Sequence, residues 1–105
     1  MSRSSNLDFF RQAVEKDPEN VFARYSLGME LRKAGDQAAA LEAFEALIDT
    51  DPAYIAAYLM AGQVAVELDD EDRAAAILRS GIERARENGN DHAASEMSDL
   101  LDEIA

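Results

Sequence analysis

The chain has 105 residues, with 22 acids against 10 bases for a net charge of −12, and it contains no cysteine. Disulfides, thiolate metal sites and cysteine nucleophiles are therefore excluded, and a phosphate backbone is a poor partner because binding it needs a basic stripe. Apolar residues make up 48%, 20 of them Ala, with two Pro and five Gly, which predicts one small all-α domain built on close helix contacts.

The first predicted element spans 6–18, where Leu7, Phe10, Ala13 and Val14 recur at helical spacing, Asn6 stands as N-cap and Asp17-Pro18 stops the helix. From about Asn20 to Lys33, Leu27, Gly28 and Leu31 mark one helical face, and Phe22, Tyr25 and Met29 mark a neighbouring one. Gly28 inside a helix costs about 1 kcal/mol relative to Ala, which is explained if another helix approaches closely there. Gly35 then supplies a left-handed stop and Asp36 the next N-cap. The following helix carries Ala40, Leu41, Phe44, Leu47 and Ile48 inward, with Glu42, Glu45 and Asp49 outward, and Asp51-Pro52 ends it.

The next two helices repeat the plan. Tyr58, Ala61, Gly62 and Ala65 form one apolar face, and Ala74, Ile77, Leu78, Gly81, Ile82 and Ala85 form the other. Asp69 takes the turn position of Gly35, being one of the few non-Gly types that tolerate the left-handed conformation. Gly89 ends this second pair. A last helix over 91–105 has Asp91 as its expected N-cap, a stripe of Ala93, Ala94, Met97, Leu100, Leu101 and Ile104, and a polar outer face.

A shift of 34 residues brings Asp17-Pro18 onto Asp51-Pro52, Gly28 onto Gly62, Ala40 onto Ala74 and Phe44 onto Leu78. A helix–turn–helix unit of that period resembles the tetratricopeptide repeat family. Leu27-Gly28, Gly35-Asp36, Ala40, Phe44 and Pro52 match the family pattern. The second unit departs from it at Ala61, Asp69 and Arg86. The resemblance implies a right-handed α-solenoid of antiparallel helix pairs, about six helices in all. It divides the single domain 1–105 into a partial repeat at 6–18, repeats at 19–52 and 53–89, and a C-terminal capping helix.

The resemblance also implies a protein–protein interaction module whose concave groove holds a peptide or helix of a partner. Its lining by register is Phe22, Tyr25, Ser26, Met29, Arg32 and Lys33 in the first unit, and Ala56, Leu59, Gln63, Val66 and Glu67 in the second. Tyr25 and Met29 replace the Lys and Asn of the family's carboxylate clamp, so an apolar segment with some acidic character is the expected ligand. The alternative is a structural unit whose groove is buried in a homodimer. Arg24 falls where the family favours a large apolar side chain and is expected to make a salt bridge to a neighbouring helix or to touch a ligand.

No enzymatic activity is expected, because the chain has one histidine, His92, and no phosphate loop or nucleophile motif. No cofactor, metal or nucleic acid is expected either. No segment approaches the roughly 20 apolar residues of a membrane span, and the N-terminus has no signal core, so a cytoplasmic protein is expected. The acidity reads as a solvated surface, as adaptation to a salty cytoplasm, or as mimicry of nucleic acid. The spread of acids over all the helices weighs against mimicry.

Overall fold

The computed structural model describes residues 3–104, which contain six helices and no strand: α1 (Arg3–Lys16), α2 (Val21–Lys33), α3 (Gln37–Thr50), α4 (Ile55–Glu67), α5 (Glu71–Glu87) and α6 (Asp91–Ile104). Consecutive helices pack antiparallel, and α6 also touches α4. The result is an all-α helical-repeat solenoid in which α2–α3 and α4–α5 share one plan.

Local chemistry sets the helix ends. Asn20, Asp36 and Asp70 each accept a backbone N–H from three residues ahead, as N-caps do. Gly35 (φ 88°), Asp69 (φ 59°) and Gly89 (φ 72°) adopt the left-handed conformation at the α2–α3, α4–α5 and α5–α6 turns, as the sequence predicts. At each turn the backbone closes twice, as in Gly35 N–H to Arg32 C=O and Asp36 N–H to Leu31 C=O, the pairing that satisfies the last carbonyls of a helix.

Two predicted caps move. Helix α1 begins at Arg3, so Asn6 lies within it and is exposed. The last cap falls to Asn90, whose side chain accepts the Ala93 N–H, and Asp91 becomes the first helical residue. Both shifts follow from local competition. Residues 3–5 extend α1 one turn further, and Asn90 already sits where the preceding turn delivers the chain.

Among the described residues no polar or charged side chain is buried in the core. One cluster gathers Leu31, Leu41, Phe44 and Val64 with Ala40, Ala61, Ala65 and Ala74. A second joins Tyr58, Leu78, Ile82, Ala85, Ala94 and Met97. Phe44, Leu47, Leu78 and Met97 are fully buried, each removal from water stabilising by about 1.5–3 kcal/mol.

The helical glycines account for how close the helices come. A Cβ on Gly28 would stand 2.6 Å from the Phe44 ring, one on Gly62 2.5 Å from Leu78, and one on Gly81 2.5 Å from both Met97 and Tyr58. No helix among the described residues is long and apolar enough to cross a membrane.

Candidate functional site

The Arg32 side chain links α2 to α4, and seven of the eleven residues singled out by register divide into three groups. Phe22, in the first turn of α2, is 67% exposed, and its ring meets Phe10 of α1 edge-on at 6.3 Å. Tyr25, Met29, Leu59 and Val66 are half-buried. Tyr25 packs its ring on Phe44 at 5.9 Å and on Tyr54 at 5.5 Å. Met29 and Val66 rest on the Phe44 cluster and Leu59 on the Met97 cluster. Each side chain thus supports the core on one side and meets solvent on the other.

Arg32 and Gln63 form the third group, together with Glu67, which the register also placed on this face, and Gln37, which it did not. The Arg32 guanidinium donates from Nε to Glu67 Oε1 at 3.2 Å and from Nη2 to Glu67 Oε2, while Nη1 donates to Gln63 Oε1 at 3.0 Å. Gln37, at the start of α3, donates to the same carboxylate at 2.7 Å. Charged forks of this kind are the stronger hydrogen bonds. The bond from Arg32 is the main reason that the Glu67 carboxyl is held below its ordinary 4.5, with desolvation working against it and the Gln37 bond adding to it. The Arg32 charge is therefore matched within the fold. A second fork, from Arg73 to Glu45, ties α5 to α3. Neither pairing was legible in the sequence, because the partners lie about 30 residues apart on different helices.

Arg24 corrects its expectation. Instead of an ion pair, its Nε donates to the Pro18 carbonyl. Thirty-four residues on, the Tyr58 hydroxyl donates to the Pro52 carbonyl at 2.7 Å. Both side chains secure the proline turn that precedes their own helix, and this gives the physical reason for an arginine at an otherwise apolar position. Burial pushes the Tyr58 hydroxyl above its ordinary value, partly offset by Arg84. His92 is well exposed and lies 3.4 Å from Glu96 one turn along α6. Among the described residues no group of three or more His, Asp or Glu is arranged to hold a metal ion.

A concavity lies elsewhere. A cleft of about 470 Å³ opens between α5 and α6, lined by Arg79, Ile82, Glu83, Arg86 and Glu87 of α5 and by Ser98 and Leu101 of α6. The sequence offered no sign of it, since its walls come from residues that read as solvated surface.

Family models described as tetratricopeptide repeat match residues 31–97 and 9–42. A tetratricopeptide repeat domain protein from Salinibacter ruber, solved by NMR, is 39% identical over 84% of this chain and 89% of its own, with a TM-score of 0.78. Two more distant structures share the fold. PcrH, solved with the chaperone-binding region of PopD, has a TM-score of 0.89 at 16% identity, covering 97% of this chain and 77% of its own. The TPR2B domain of yeast Sti1, solved in a pHsp70 complex, has a TM-score of 0.86 at 17% identity, covering 93% and 78%. No curated protein sequence matches the chain. Family models and the 39%-identical relative agree with the 34-residue plan of glycines, turns and prolines: the chain belongs to the tetratricopeptide repeat family.

Proposed function

We propose that this protein is a protein-interaction module, working in the cytoplasm, that takes an apolar peptide or helix of a partner protein along the face shared by α2 and α4. The observation that carries the reading is Phe22, which at 67% exposure is the most solvent-exposed large apolar side chain described. It continues a row of half-buried Tyr25, Met29, Leu59 and Val66. Rigid aromatic and aliphatic anchors on a preformed surface suit an amphipathic segment. PcrH and the Sti1 domain, which share the fold, were each solved with a protein segment or peptide complex, and this lends the reading support by analogy. With Arg32 engaged by Glu67, the proposed ligand is apolar in character and does not depend on acidic residues.

The reading is tested with a displayed peptide library. Peptides selected on the wild-type chain should bind Leu59→Asp and Tyr25→Ala at least about tenfold more weakly, the equivalent of about 1.4 kcal/mol. Circular dichroism would confirm that both variants remain helical. Undiminished binding by two folded variants would remove this face as the site. If the wild-type chain proves to be a symmetric dimer that both substitutions dissociate, the face is instead used for self-association.

A further inference from the structure

We infer that the partner segment carries a lysine or arginine beside its apolar residues, and that Asp99 and Glu103 of α6 receive this cation. The inference rests on the reading proposed above and specifies the chemistry of the same partner.

A cation already occupies the equivalent place inside the fold. Counted from the start of each helix, Arg32 is twelfth in α2, and it forks onto Gln63 and Glu67, ninth and thirteenth in α4. Gln37, first in α3, donates to the same carboxylate. One positive charge thus meets one negative charge.

One repeat later the cation is missing. Helix α6 packs against both α4 and α5, and it keeps the register of α4. The fourth and seventh residues are buried in each, Tyr58 and Ala61 in one and Ala94 and Met97 in the other. The ninth and thirteenth residues of α6 are Asp99 and Glu103, and the first of α5 is Glu71. The twelfth of α4, the counterpart of Arg32, is Val66. Three carboxylates therefore stand where the earlier repeat has one, and an isopropyl group stands where it has a guanidinium. None of the three acids is in an ion pair among the described residues. The pattern is that of the Arg32 fork with its cation removed.

The same acids border the row that the apolar segment follows. Val66 and Leu59 are half-buried members of that row, so a segment lying over them passes beside α6. In α4 the thirteenth position stays open although α5 and α6 follow it, the Glu67 side chain being 36% exposed. Helices packed after α6 would leave Glu103 open in the same way. A guanidinium or ammonium on the partner meets two carboxylates here, and charged hydrogen bonds of that kind are the stronger ones.

Asp99→Asn combined with Glu103→Gln tests the inference, since it removes two charges at exposed positions with little change of shape. Peptides selected from a displayed library on the wild-type chain should carry Lys or Arg next to apolar residues. A synthesised peptide of this kind should bind the double variant about fivefold more weakly at low salt, the equivalent of about 1 kcal/mol. Replacing its base by Ala should cost as much on the wild-type chain and almost nothing on the double variant. Peptides that lose binding to Leu59→Asp but bind the double variant undiminished overturn this inference and leave the apolar face in place. Peptides indifferent to both Leu59→Asp and Tyr25→Ala remove the face and this inference together. A second measurement needs no peptide. Val66→Arg restores the cation within the chain, and carboxyl titration by NMR should show Glu103 losing its proton at lower pH than in wild type, as Arg32 makes Glu67 do. An unmoved Glu103 in a folded Val66→Arg chain would mean that no such place exists, whatever the peptides do. If the wild-type chain is a dimer that the double variant dissociates, a second copy supplies the cation and the inference of a basic partner segment is overturned.

Discussion

At Gly28 the missing Cβ does two opposing things. It weakens the helix by about 1 kcal/mol relative to Ala, and it admits the Phe44 ring to within 2.6 Å of where that Cβ would stand. Overpacking a filled core costs about 1–3 kcal/mol, so Gly28→Ala should be destabilising on balance even though Ala is the better helix former. A chemical denaturation curve is the check, and a midpoint at or above wild type would mean that Phe44 relaxes without penalty. This close approach was legible in the sequence, because a glycine inside an apolar helical stripe weakens the helix unless a close neighbour offsets the loss. Asp69 was legible for a similar reason, standing where Gly35 stands one repeat earlier. Arg24 was not, because its partner is a backbone carbonyl, and a carbonyl leaves no trace in the residue type.

Between elements, the Arg32–Glu67–Gln37–Gln63 network joins α2, α3 and α4 through polar groups alone. Ion pairs of intermediate exposure contribute about 0–1 kcal/mol. Replacing Glu67 by Gln should therefore lower stability modestly at neutral pH. The pH dependence is the more specific signature. Since the folded Glu67 carboxyl lies below 4.5, its contribution is complete above that value and disappears as the pH falls through the lower folded one. Urea melts of wild type and Glu67→Gln should thus differ at pH 7 and converge as the pH falls through the lowered folded value; a gap independent of pH would assign the loss to packing. The helices themselves were legible from periodicity, prolines and caps. The network was not, since periodicity ranks residues by face and leaves unstated which partner a neighbouring helix will present. The α5–α6 cleft escaped for the same reason, its charged lining coming from the outer face of α5.

Across the whole molecule, protection is uneven. Helices α2 to α5 each contribute fully buried side chains, whereas α1 contributes none among its described residues. Amide exchange should be fastest in α1 and slowest around Phe44 and Leu78, where opening approaches global unfolding. Exchange in α1 as slow as that around Phe44 would overturn this ranking.

The turns also differ in kind. Asp36, Asp70 and Asn90 each close the helix behind them and cap the helix ahead, so a single inserted residue there would break both at once. The proline turns at 17–20 and 51–54 share no such residue. They are tied by Asp17 and Asp51 within the turn and by Arg24 and Tyr58 from the helix that follows. A gene cut and rejoined at those two places would transfer intact helix pairs, whereas a cut at the aspartate or asparagine turns would split a pair that shares its ends. The boundaries at which this protein could gain or lose a unit are therefore already marked by Pro18 and Pro52.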